Sequence, residues 1–190
     1  MPRLSLDTGP VSEPVTLTQV KAQLRITGTS EDTRLGDLIT AARELVEAYT
    51  HRALITQTWD QWHDRWPNGK GFSLAKGTLQ IVNSITYVDE DDNSDTINLA
   101  TTVDQATWED PYPRVTLKSD ADWPTVTLRP HDGIAINFDA GYGDAASDVP
   151  APLKQAIIMA VTALYDGCPE TVDGMPGVRS LIGPYVIDLV

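Results

Sequence analysis

Cysteine is almost absent from this chain of 190 residues: Cys168 stands alone, cannot close an internal disulfide, and so gives no sign of an oxidising compartment. Long apolar runs are missing as well. No stretch of about 18 uncharged apolar residues occurs, which excludes a membrane-spanning helix. The opening MPRLSLDTGP lacks the apolar segment of a secretory signal, so an intracellular chain is expected. Positive charge is scarce: 14 basic against 27 acidic residues give a net charge of −13. A surface this acidic repels nucleic-acid phosphate, which argues against sequence-specific DNA binding but suits a wall that DNA slides past. Apolar residues make up 41%, enough for a real core in a chain of this length.

What is present divides into helical ends and a β-rich middle. In EPVTLTQVKAQLRITG, Thr16 and Gln19 have capping-box spacing, Leu17, Val20 and Leu24 share one face, and Gly28 is placed to end the helix. A longer helix follows Ser30, with Glu31 and Asp32 where the helix dipole favours acids and His51 and Arg52 where it favours cations. Its apolar positions Leu35, Leu38, Ile39, Ala42, Leu45, Val46 and Tyr49 repeat at three and four. From Leu54 to Phe138, runs such as TLQIVNSITYV, RVTLKS, TVTLRP and GIAINF are separated by Pro, Gly, Asn and Asp, the pattern of antiparallel strands. In TQTWDQWHDRW, Trp59, Trp62 and Trp66 also fit helical spacing, but the preceding Ile-Thr-Gln-Thr favours a strand. PAPLKQAIIMAVTALYDG reads as a third, buried helix entered through Pro150 and Pro152 and stopped at Gly167. CPETVDGMPGVRSLIGPYVIDLV, with its prolines and glycines, is expected to be an extended arm instead of one continuous helix.

The fold class expected is therefore α+β: a small bundle of three main helices, a large antiparallel β-rich insertion between the second and third, and an extended C-terminal arm. One domain, 1–190, is expected, with 14–52 and 150–167 as the bundle, 53–141 as the insertion and 168–190 as the arm.

The candidate sites are few. FDAGYGDAASDVPAPLKQAI has the look of a glycine turn that holds phosphate before a helix. GYGDAA, however, lacks the third glycine of GxGxxG, Asp144 and Asp148 crowd the helix start, and Lys154 comes late. Gly141, Gly143, Pro150 and Pro152 are accordingly expected to form a structural connector, the glycines in turn conformations and the prolines at the helix entry. DEDDNSD, Asp89 to Asp95, approaches a calcium loop but has Ser94 and Ala100 where an EF-hand needs Gly and Glu, so an acidic hairpin tip is expected. His51, His63 and His131 lie on separate elements without metal-ligand spacing, and Cys168 has no nearby cation to activate it. No cofactor, metal or catalytic grouping is expected. Trp59, Trp62, Trp66, Trp108 and Trp123 leave a second reading open, a β-rich carbohydrate-binding module, although tryptophans in a β-insert more often fill a core or interface. A hydrolase using an Asp/Glu pair is permitted only because carboxylates abound. Tyr185, Val186, Ile187, Leu189 and Val190 make an apolar end that needs a surface, and Tyr185, Ile187 and Leu189 would share one face of an extended strand.

In order along the chain, PVTLTQVKAQLRI, ARELVEAYTHRALITQTW, ITYVDEDD and FDAGYGDAASDVPAPLKQAIIMAVTALYD resemble the head-tail connector, or adaptor, proteins of tailed bacteriophages and phage-like particles. The resemblance spans Pro14 to Asp166; LIGPYVIDLV departs from the basic, helix-like tail common in that family. It implies a structural virion protein, not an enzyme, made in the host cytoplasm and placed at the head-tail junction. It further implies a ring of about twelve subunits that joins the portal to a tail-side stopper or tail-completion protein and lets DNA through without specific binding. The apolar C-terminal residues would then bind the portal or a neighbouring subunit.

Overall fold

The computed structural model describes residues 2–105, 113–167 and 171–187, and these form two compact units. The helical unit comprises Pro10–Ile55 and Tyr142–Asp188, and the β-unit Met1–Gly9 and Thr56–Gly141. The chain passes between them after Gly9, Ile55 and Gly141. The α+β class stands.

In the helical unit, α1 (Leu17–Leu24) begins at the expected capping box: Thr16 Oγ1 accepts the Gln19 N–H, and Gln19 Oε1 accepts the Thr16 N–H at 2.8 Å. It stops before Gly28, the residue expected to end it. Arg25 takes the left-handed cap at φ 57°, and Ile26 donates its N–H to the Lys21 carbonyl at 3.0 Å. This Schellman-type ending folds Ile26 back against the apolar cluster, and that burial outweighs the left-handed freedom of glycine. The second helix, α2 (Asp32–Thr50), buries Leu35, Ile39, Ala42 and Val46, while Leu38, Leu45 and Tyr49 pack at the margin. His51 caps it in the left-handed region.

The β-unit holds two sheets. Strands β1 (Arg3–Thr8), β2 (Gln57–His63), β4 (Leu79–Val88), β5 (Ser94–Thr96) and β8 (Ile134–Ala140) form a five-stranded antiparallel sheet in the order β1-β2-β8-β4-β5. A three-stranded sheet runs β3-β7-β6, from β3 (Gly71–Ser73), β6 (Val103–Gln105) and β7 (Arg114–Leu117); a short helix, α3 (Leu99–Thr102), precedes β6. Alternation decides which face is buried: Ile134, Ile136, Phe138 and Ala140 of β8 are fully buried, and Ala135, Asn137 and Asp139 between them are not. Gln61, itself fully buried in β2, bonds the Ser73 carbonyl at 2.9 Å and accepts the Ala75 N–H at 2.8 Å, tying one sheet to the other.

The third long helix, α4 (Ala151–Tyr165), buries Leu153, Ala156, Ile157, Ala160 and Val161 and is followed by Gly167 at φ 72°. Beyond it the structure corrects the expected arm. Val172–Gly174 is a turn of 3-10 helix, Pro176–Ile182 is a helix, α5, and Gly183–Tyr185 is a second 3-10 turn. Pro176 opens α5 where proline is tolerated, since the first N–H of a helix has no partner to lose. Val172, Met175, Val178 and Ile182 recur at three and four, and all are buried in the cluster that holds α2 and α4.

Candidate functional site

The residues singled out by sequence fall around two places in the helical unit: the entry to α4, and the end of the described chain at Ile187. At the first, Gly141 closes the β-unit with its N–H donated to the Thr78 carbonyl at 2.8 Å. Tyr142 opens the next segment of the helical unit with its N–H on the Leu54 carbonyl at 3.0 Å. Gly141 and Gly143 have φ of 147° and 157°. At Gly143 space is decisive, because a Cβ there would lie 2.2 Å from Asp148 Oδ2. That carboxylate accepts the Ala145 N–H at 3.1 Å, and Lys154 Nζ is bound to the Ala146 carbonyl at 3.0 Å. Pro150 is the N-cap of α4, and Pro152 lies in its first turn and lacks an N–H. The Lys154 cation that would help to hold a phosphate is thus committed to the loop itself, beside an acidic group that repels one.

A buried ionic network supports this region. Arg43, 5% exposed, donates from Nη1 to Glu47 Oε2 at 2.7 Å and from Nε to Glu13 Oε2 at 2.9 Å. Glu47 Oε1 accepts the Leu54 N–H at 2.8 Å, and Thr40 donates to Glu13 Oε1 at 3.0 Å. Burial pulls the Arg43 pKa down, and the Glu47 and Glu13 carboxylates more than offset it, so the guanidinium stays charged. The network fastens to α2 the segment around Glu13, just after the chain enters the helical unit, and the segment around Leu54, just before it leaves. Sequence reasoning missed it. Arg43 and Glu47 carried an i,i+4 signal on a helix, but their place on its buried side was the part that had to be seen.

At the end of the described chain, Ile187 is 2% exposed and donates its N–H to the Thr50 carbonyl at 3.1 Å. Arg52 Nε donates to the Tyr185 carbonyl at 2.6 Å. Tyr185 and Val186 are half-buried, while Leu189 and Val190 lie outside the described residues. Ile187 therefore belongs to the subunit's own core, and the extended strand on which Tyr185, Ile187 and Leu189 would share an exposed face is not formed through Ile187.

The remaining candidates resolve separately. Asp89 Oδ1 accepts the N–H groups of Asp91 and Asn93 at 2.9 and 2.8 Å in the tight β4–β5 turn. Bonds from the Asn93 side chain and backbone, then from Asp91, hold its pKa below the usual carboxylate value. This carboxylate shapes a hairpin tip. Among the described residues no group of three or more His, Asp or Glu is arranged to hold a metal ion. His63 touches the Phe72 ring at 4.6 Å and contacts Gln61 Nε2 at 2.8 Å. Burial lowers its pKa, partly countered by Asp64. Arg3 lies 3.9 Å over the Trp62 ring, and Lys76 lies 4.6 Å from that of Trp59. Trp66 stacks on Trp123 at 5.1 Å, and Tyr87 meets its edge. These rings are engaged by the protein's own side chains, which weakens the sugar-platform reading. Trp108 and Cys168 lie outside the described residues.

The fold is a two-unit α+β chain. Residues 14–107 match the family described as phage gp6-like head-tail connector protein. No curated protein matches the chain. Among solved structures, a chain in the virion of a native gene transfer agent particle is similar at 24% identity and a TM-score of 0.80, covering 98% of this chain and 96% of that one. A chain in the neck of an empty gene transfer agent particle, computed with C6 symmetry, gives 22% identity and 0.78, with 99% and 97% covered. Another, in the neck of the native particle computed with C12 symmetry, gives 23% and 0.75, with 99% and 97% covered. These likenesses establish a shared fold along nearly the whole chain.

Proposed function

We propose that this chain is a structural virion subunit that assembles into a ring adaptor at the head-tail junction. The ring has about twelve members, joins the portal to a tail-side stopper or tail-completion protein, and lets DNA pass. The observation that carries the reading is the connector-family match over residues 14–107, and the likeness to neck chains of symmetric particles supports it. Net charge fits the passage of DNA, since −13 on each subunit keeps phosphate from adhering to a wall it must slide along. Contact with the portal or a neighbouring subunit falls to the half-exposed Tyr185 and Val186 together with Leu189 and Val190; Ile187 anchors them. Gly141, Gly143, Pro150 and Pro152 act as the structural connector into α4. The subunit is made in the host cytoplasm and retained in the virion.

The test is to delete the coding sequence from a cell that produces the particles and to image the products by electron microscopy. DNA-filled heads without attached tails, rescued by the gene supplied in trans, are expected. Normal tailed particles from the deletion strain would overturn the reading.

A further inference from the structure

The two edges of the five-stranded sheet are unlike. β5 is three residues long, adjoins the acidic 89–95 tip, and has the Thr96 N–H capped by Asp95 Oδ1 at 2.7 Å. Short length, charge and self-capping are how a sheet edge is closed to other chains. The β1 edge runs six residues, and its backbone makes no hydrogen bond beyond β2 among the described residues. Only Leu4 of the strand is partly buried; Leu6, 45% exposed, is one of three large apolar side chains exposed among the described residues. Leu4 and Leu6 stand opposite Gln61 and Trp59, so they share one face, and Arg3 and Ser5 share the other.

RLSLDT is complementary to itself when a second copy runs antiparallel and is centred on Ser5. Arg3 then faces Asp7, Leu4 faces Leu6, and Ser5 faces Ser5. The register with β2 skips Asp7, so Asp7 has no matched residue there. We infer that β1 of the free subunit pairs antiparallel with β1 of a second copy about Ser5, joining two five-stranded sheets into one. The pairing covers Leu6 of each copy with Leu4 of the other and fills the open edge with backbone hydrogen bonds. An isologous contact closes at two subunits, so this dimer is a form of the free chain and not a ring contact; it stands or falls independently of the adaptor reading.

The test is cysteine cross-linking of the full chain in a Cys168→Ser background. Ser5→Cys lies on the twofold, whereas two Thr8→Cys residues would be about 20 Å apart in this register. Under mild oxidant, S5C is expected to run at twice the subunit mass and to cross-link at least about tenfold faster than T8C. Adding Leu6→Lys, which places like charge beside the new pair, should slow S5C cross-linking about tenfold while leaving the thermal melt of the reduced protein unchanged. Equal rates for S5C and T8C would overturn the inference. So would faster cross-linking between S5C and Asp91→Cys chains than within S5C chains, since that would mean head-to-tail pairing with the β5 edge.

Discussion

Replacing Arg43 with alanine isolates the buried network that holds α2 to the two segments flanking it. The substitution leaves Glu47, 4% exposed, with a charge whose direct partner at 2.7 Å is gone, and it frees Glu13 from its 2.9 Å contact. Breaking a buried pair by removing one partner costs about 3–5 kcal/mol, because the remaining charge loses its compensation without regaining water. At about 2–4 °C per kcal/mol for a chain of this size, the melting temperature should fall by roughly 10 °C. The double variant Arg43→Met/Glu47→Gln should recover more than half of that loss. It removes both charges, fills the space, and keeps an amide oxygen able to accept the Leu54 N–H. The assay is thermal melting by far-UV circular dichroism, with urea titration as a second measure. An R43A melt within about 2 °C of the parent, or a double variant as unstable as R43A, would refute the assignment of that cost to the broken Arg43–Glu47 pair.

Three further outcomes follow from the packing. His63 is held neutral by burial, with its folded pKa below 6.5, so the unfolded chain takes up the proton first; stability should fall as pH drops below about 6.5, and His63→Gln should flatten the melting profile in that window. Gly143→Ala should cost about 1–3 kcal/mol by urea titration, because its Cβ meets Asp148 Oδ2 at 2.2 Å, and the cost should shrink in an Asp148→Gly background. Ile187→Ala should destabilise the free chain by about 2–4 kcal/mol, as expected of a core isoleucine; an unchanged melt would return the residue to the partner surface.

What could be read from the sequence was what local chemistry decides. The Thr16/Gln19 capping box acts over three residues, and the alternation of GIAINF acts within one strand, so both were visible without the fold. Gly28 misled because a strong stop signal lost to the burial of Ile26, a tertiary effect. The C-terminal prolines misled in the opposite sense: Pro176 reads as a breaker, yet at the first turn it starts α5, and the spacing of Val172, Met175, Val178 and Ile182 was the signal to weigh against it. β1 escaped notice because an edge strand of six residues with one half-buried leucine alternates only weakly. The contacts that organise the site join residues far apart in sequence, such as Arg52 with Tyr185 and Glu13 with Arg43, and only the fold brings these together.

The claim that this chain is a ring adaptor is tested most directly by cryo-electron microscopy of the particles that contain it, reconstructed at the neck. The account predicts a closed ring of about twelve copies between portal and tail, traceable as this chain through both the helical unit and the β-unit. A neck whose every ring is built from other chains, with this one absent from the particle, would contradict it.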